Sequence, residues 1–163
     1  MKTLLIVYHS MTGGTLQMAQ AAMAGTVAEP ALNARLVHAP DARPAAVLAA
    51  DGYIFATPEN LGSMSGLLKD FFDRTYYAAL DRVNGRPYAT LICAGSDGSG
   101  AARQISRIAT GWRLKPVAEP LIVCTHAQTP EAILQPKVIA ARELALCAEL
   151  GAALATGLAL GVF

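Results

Sequence analysis

Ser10-Met11-Thr12-Gly13-Gly14-Thr15 places three hydroxyls around two adjacent glycines. Such a set suits one task above others, the holding of a phosphate. Glycine lets the backbone approach an anion closely and take a positive φ. If a helix starts here, its first N–H groups have no intrahelical partner and point at the ligand, with the helix dipole behind them. Ser10, Thr12 and Thr15 add hydroxyl donors, and Thr15 suits the N-cap. No lysine or arginine lies between Lys2 and Arg35, so the loop would grip its anion with dipoles and not with charge. The Gly-Lys-Ser/Thr ending of a nucleotidase P-loop is absent, as is the dinucleotide Gly-x-Gly-x-x-Gly spacing. An ordinary strand-to-helix turn capped by Ser and Thr would use the same residue types.

Two further stretches have a similar composition. One runs Thr57-Pro58-Glu59-Asn60-Leu61-Gly62-Ser63-Met64-Ser65, the other Gly95-Ser96-Asp97-Gly98-Ser99-Gly100. Glu59 and Asp97 are too loosely placed to form a carboxylate pair, and His9 reads as a packing residue. Cys93, Cys124 and Cys147 form no Cys-x-x-Cys and sit in apolar runs, so they read as reduced core residues of a cytoplasmic protein. No metal site is expected.

The elements that must position these loops follow from hydrophobic patterning. Leu4–Tyr8 reads as a buried strand, and Leu16, Ala19, Ala22, Met23 and Val27 recur at helical spacing. Ala34–His38 predicts a second strand, 41–50 a short helix and 51–56 a third strand. A helix from Gly66 carries Leu67, Leu68, Phe71, Phe72 and Tyr76 on one face. Tyr88–Ala94 is a fourth strand, and the helix after it packs Ile105, Ile108, Ala109 and Trp112. Val117–Cys124, broken by Pro120, gives a fifth strand with an edge position. Thr125–Pro136 reads as irregular, and a last helix begins near Lys137.

Five alternations of strand and helix predict a parallel sheet with helices on both faces, a three-layer αβα fold. In such a sheet ligands bind beyond the carboxyl ends of the strands, where the strand order reverses. The three Gly-, Ser-, Thr- and Asn-rich loops all fall at that end, whereas the opposite turns, such as Asn84-Gly85-Arg86, are undistinguished.

With 163 residues, 53% hydrophobic and 15% charged, the chain reads as one domain spanning 1–163 with little polar surface for a solitary monomer. Net charge is +1 with no basic run, so neither nucleic acid nor an anionic membrane is indicated. Only six residues separate Lys2 from His9, too few for a secretory leader. In the last helix Arg142, Glu149 and Thr156 form a single polar stripe. Its other sides are apolar or small, which predicts cover on two sides and a homo-oligomer through this helix, with no membrane span.

Thr3–Thr15, with its hydroxyl-x-hydroxyl-Gly-x-hydroxyl pattern, resembles the phosphate loop of the flavodoxins. Thr57–Gly66 followed by Lys69, Phe72 and Asp73 is similar to the flavin-ring segment of NAD(P)H-dependent FMN reductases and their quinone reductase relatives. The resemblance implies a flavodoxin-like sheet of five parallel strands in the order 2-1-3-4-5, with FMN as cofactor. Ser10, Thr12, Gly13, Gly14 and Thr15 would hold its phosphate, and Met11 would lie under the ring's inner edge. Thr57, Pro58, Glu59, Asn60, Leu61 and Gly62 would line the isoalloxazine; Gly95, Ser96, Asp97, Gly98 and Gly100 would meet its pyrimidine side. Leu61 stands where the reductases place an aromatic residue, and the third loop has no tryptophan or tyrosine. Both departures open the ring face to a second substrate. The implied activity is electron transfer from NAD(P)H through FMN to a quinone or other small acceptor, with no protein acid or base. A flavodoxin-type electron carrier is the alternative, disfavoured by the near-neutral charge because carriers steer onto partners through charge.

Overall fold

A computed structural model describes residues 1–163. The chain runs β1 (Lys2–Tyr8), α1 (Gly14–Gly25), β2 (Leu32–His38), α2 (Pro44–Ala49), β3 (Gly52–Asn60) and β4 (Ser63–Met64). It continues through α3 (Gly66–Ala79), β5 (Pro87–Ala94), α4 (Ser99–Gly111), β6 (Lys115–Pro116), β7 (Leu121–Cys124), α5 (Pro130–Leu134) and α6 (Ala141–Leu160). The main strands pair in parallel in the order β2-β1-β3-β5, with β6 and β7 both on the outer side of β5. This is the expected flavodoxin-like order, in which β6 and β7 together take the fifth place.

The structure differs from the sequence reading at three elements. The fifth strand is split: β6 pairs with the start of β5, β7 with its end, and the chain leaves the ladder between them around Pro120. Proline has no N–H to give a ladder, so the interruption falls where it must. Strand β3 runs on beyond the predicted stop at Ala56 and folds back on itself, Glu59 pairing with Met64 and Asn60 with Ser63. The segment read as irregular contains α5, and α6 starts at Ala141, four residues later than expected.

The sheet is buried on both faces, which is why β1 reads as an unbroken apolar run. Leu5 and Val7 face one layer with Phe55, Phe71, Phe72 and Trp112. Leu4 and Ile6 face the other with Met18, Ala22, Ile54, Leu91 and Leu154. On α3, Leu68, Phe71 and Phe72 turn inward as expected, but Leu67 is exposed. The second apolar side of α6 is covered by α1 of the same chain. Gly25 lies against Ala148 and Gly151 against Ala22, close enough that neither glycine has room for a Cβ. By length and composition α6 is the one helix apolar enough to cross a membrane; its Cys147, Leu154 and Leu158 belong to the core.

Candidate functional site: a cavity at the carboxyl rim of the sheet

The loop after β1 closes on itself before α1 begins. Gly13 N–H donates to Ser10 Oγ at 3.1 Å, and Gly13 takes the left-handed conformation at the helix N-cap (φ 91°). Thr15 is therefore not the cap, as its type suggested, but lies inside the first turn. Gly13 won that place because a positive φ is open to glycine and strained for threonine. Within the chain, Gln17 N–H donates to Gly13 O, whereas the N–H groups of Gly14, Thr15 and Leu16 have no partner. The Thr15 side chain is 1% exposed and its Oγ1 has no hydrogen-bond partner. A buried hydroxyl left unpaired costs about 1–3 kcal/mol, so it marks a place where a ligand atom belongs. A Cβ on Gly14 would stand 2.6 Å from Cys93 Sγ, so backbone, and no side chain, forms the floor. Free amides, an unpaired hydroxyl and a bare backbone at one helix start fit the phosphate of FMN.

The second loop is a two-residue hairpin whose central residues, Leu61 (φ 52°) and Gly62 (φ 71°), both have positive φ. A type I′ turn demands this, and Leu61 accepts the strain with its side chain fully exposed. Behind the turn, Thr57 Oγ1 accepts from Ser65 N–H at 2.9 Å and donates to Pro58 O at 2.8 Å. The Glu59 carboxylate reaches across to the third loop, accepting from Gly98 N–H at 2.9 Å and Ala101 N–H at 3.0 Å. It thereby caps α4 from outside that helix. Gly100 is required by the same approach, since a Cβ there would meet Gly62 O at 2.0 Å.

In the third loop, Asp97 accepts from Ser99 N–H at 3.2 Å and from Ser99 Oγ at 2.7 Å. These bonds, first that of the side chain, hold its carboxyl below the usual range. Gly98 is left-handed (φ 89°) at the N-cap of α4.

A fourth wall comes from 125–140, a strap that crosses from β7 to α6. His126 N–H donates to Gly95 O at 2.8 Å, and Lys137 N–H donates to Thr12 O at 2.8 Å. The Gln17 amide clamps the strap to the phosphate loop: Nε2 donates to Gly13 O and Lys137 O, and Oε1 accepts from Ile139 N–H.

Together these walls enclose a cavity of about 790 Å³. Of the residues predicted from sequence, Ser10, Met11, Thr12, Gly14, Thr15, Pro58, Glu59, Asn60, Leu61, Gly62, Gly95 and Ser96 line it. Gly13, Thr57, Asp97, Gly98 and Gly100 do not line it: Asp97 is exposed on the third loop, and the other four shape the loops. Met11 sits half-exposed on the rim. Sequence reasoning missed Cys93 and Ala94, which end β5 and so carried a positional signal. It also missed Thr125, Ala127, Gln128, Ile133 and Lys137, whose only signal was that their segment follows the fifth strand at the same end. Burial pushes the Cys93 thiol up, so it is a neutral thiol at physiological pH.

A family model described as NADPH-dependent FMN reductase matches residues 9–129. A flavodoxin of Aquifex aeolicus is 30% identical over 100 residues, 61% of this chain and 54% of its own. An NAD(P)H dehydrogenase (quinone) of Acidithiobacillus ferrooxidans is 32% identical over 95 residues, 46% of this chain and 48% of its own. The chain thus spans about half the length of these curated relatives. Among solved structures, a flavodoxin from the domain Archaea superposes with a TM-score of 0.77 at 18% identity, covering 96% of this chain and 98% of the other. Because the family match takes in all three loops, and the helix start they surround has the free donors a phosphate needs, the chain belongs to the NADPH-dependent FMN reductase family and its cofactor is FMN.

Proposed function

We propose that the protein passes electrons from NAD(P)H, through FMN, to a quinone or another small acceptor. The observation that carries this reading is the mouth of the cavity. No aromatic side chain lines it, and Met11, Leu61 and Ile133 stand exposed around it. An apolar rim without an aromatic lid leaves space for a flat second molecule beside the ring. FMN itself supplies the hydride and electron chemistry. The chain's part is to hold and to exclude: Thr15 and the amides of Gly14 and Leu16 would take the phosphate, and the turn from Pro58 to Gly62 with Gly95 and Ser96 would flank the ring. The Glu59 carboxylate is committed to two backbone amides and is not free to shuttle protons. This supports a site with no protein acid or base.

The similarity to the Aquifex aeolicus flavodoxin supports a second reading, an electron carrier that does not itself oxidise NAD(P)H. The two part on one spectrum. The FMN-loaded protein is mixed anaerobically with NADPH or NADH, and its visible absorbance is followed before and after a water-soluble quinone is added. Bleaching by a nicotinamide and recovery with the quinone meet the proposal; bleaching by dithionite alone establishes the carrier. The outward stripe of α6, where exposed Leu146, Ala153 and Leu160 alternate with exposed Arg142, Glu149 and Thr156, supports association between copies of a single-domain protein through a mixed apolar and polar face. A monomeric mass in light scattering at micromolar concentration would end that part of the reading. Three unpaired cysteines support a reducing, cytoplasmic location.

A further inference from the structure

Two charged side chains line the cavity, Glu59 and Lys137. The first is occupied as the cap of α4. The second, the one cation present, belongs to the strap and lies beyond the residues 9–129 matched by the family model. Its backbone is fixed against the phosphate loop from both sides, by Lys137 N–H on Thr12 O and by Gln17 Nε2 on Lys137 O at 2.7 Å. Lys137 Cβ lies 3.4 Å from where a Cβ on Gly14 would project. The lysine stem therefore starts beside the three free amides and the unpartnered, buried Thr15 hydroxyl. Its charge is also felt at the loop floor, where it offsets part of the effect of burial on the Cys93 thiol. The ammonium itself sits on the end of α5, donating to Ala132 O and Ile133 O at 2.8 Å and to Gln135 O at 2.5 Å.

The charge balance gives this cation a task. A phosphate monoester carries about −1.5 to −2 at pH 7. The start of α1 offers the equivalent of about +0.5, and the loop contains no basic residue. One ammonium brings the sum close to neutrality. Resting on the assignment of the helix start to the FMN phosphate, we propose that Lys137 is the charge partner of that phosphate. Its ammonium turns from the α5 carbonyls toward the phosphate when cofactor binds, and so sets a preference for FMN over riboflavin.

The test titrates the apoprotein separately with FMN and with riboflavin, following quenching of flavin fluorescence, in wild type, Lys137→Gln and Lys137→Met. The proposal expects the FMN Kd to rise roughly tenfold in both variants, the scale of one charge-assisted hydrogen bond at a half-exposed site. The riboflavin Kd should change less than twofold. Because Ile133 on α5 also lines the cavity, a lysine that merely holds α5 in place would weaken both flavins alike, and that result overturns the proposal. An unchanged FMN Kd overturns it too. Wild-type affinity is read at low and high salt as a measurement independent of the variants: FMN binding should weaken with salt and riboflavin binding should not, and equal slopes overturn the proposal. A wild-type protein that binds neither flavin removes the phosphate assignment and the proposal with it, whereas tight FMN binding with unaltered variants removes the proposal alone.

Discussion

Replacing Gly151 by alanine sets two effects of opposite sign against each other. Gly151 is inside α6, where helix propensity alone favours alanine by about 1 kcal/mol. Packing opposes it. A Cβ on Gly151 would stand 2.0 Å from Ala22 O and 2.7 Å from Ala22 C, where real Cβ atoms keep beyond 3.0 Å. Both obstacles are backbone atoms of α1, so no rotamer change relieves them, and the helices must separate by about 1 Å. A gap of that size forfeits about a quarter to a half of the dispersion energy of each facing atom pair. The pairs at risk include Met18, Ala19, Cys147 and Leu154, all essentially inaccessible to solvent. Overpacking costs about 1–3 kcal/mol, and rigid obstacles place this site at the upper end.

The expected net loss is about 2 kcal/mol, or a fall in Tm of about 4–8 °C for a domain of this size. Urea unfolding followed by the fluorescence of Trp112, the sole and fully buried tryptophan, measures the loss directly. Gly66→Ala is the control: it also lies in a helix, nothing stands within 4 Å of its Cβ position, and it should be neutral or stabilising by up to about 1 kcal/mol. If Gly151→Ala is as stable as wild type, the close α1–α6 contact is not what holds α6 to the sheet.

Thr15→Val keeps the shape of the side chain and removes the unpaired hydroxyl. It should stabilise the apoprotein by about 1 kcal/mol in urea while raising the FMN Kd roughly tenfold; a parallel change in both would show that the hydroxyl is not reserved for a ligand. Glu59→Ala uncaps α4 and should lower stability by about 1–2 kcal/mol, read from the urea midpoint, because Gly98 N–H and Ala101 N–H lose their acceptor together. Burial, helped by the neighbouring His38, holds the His9 pKa below its ordinary 6.5. The unfolded chain then binds the proton more readily, so stability present above about pH 6.5 is lost as pH falls from there to the lowered folded value. Thermal denaturation from pH 7.5 to 5 should show this slope in wild type and a flatter one in His9→Gln.

The strands and the first loop were legible because each is determined within a few residues. Burial on both faces makes β1 and β5 continuous apolar runs. That a helix starts from the first loop follows from two glycines among hydroxyls, but its cap did not: residue type pointed to Thr15, and the structure puts Gly13 there. What escaped was determined by contacts between distant parts. The β3–β4 hairpin involves two residues on each side, too short for alternation to show. Helix α5 has five residues and no buried side chain, so it has no hydrophobic period to read. The apolar second side of α6 was visible, but nothing local says that α1 covers it, since the small residues at Ala22 and Gly25 have meaning only opposite Gly151 and Ala148. The absence of a basic residue in the phosphate loop was likewise a correct local observation, but no local pattern shows that the fold places Lys137 of the strap beside that loop.

The walls of the cavity are joined to one another by hydrogen bonds made within the chain. Glu59 joins the second loop to the third, Gln17 joins the first to the strap, and His126 N–H joins the strap back to the third. Thr57 fixes the second loop against the start of α3. Each loop is thus held by another part of the chain, and loops held in place lower the cost of binding a ligand between them. The side chains of Met11, Leu61 and Ile133 take no part in that bracing and stand exposed at the mouth. On the proposed function, substitutions there would change which acceptor docks while leaving the phosphate end intact: the braced loops would govern cofactor affinity and the unbraced rim the second substrate.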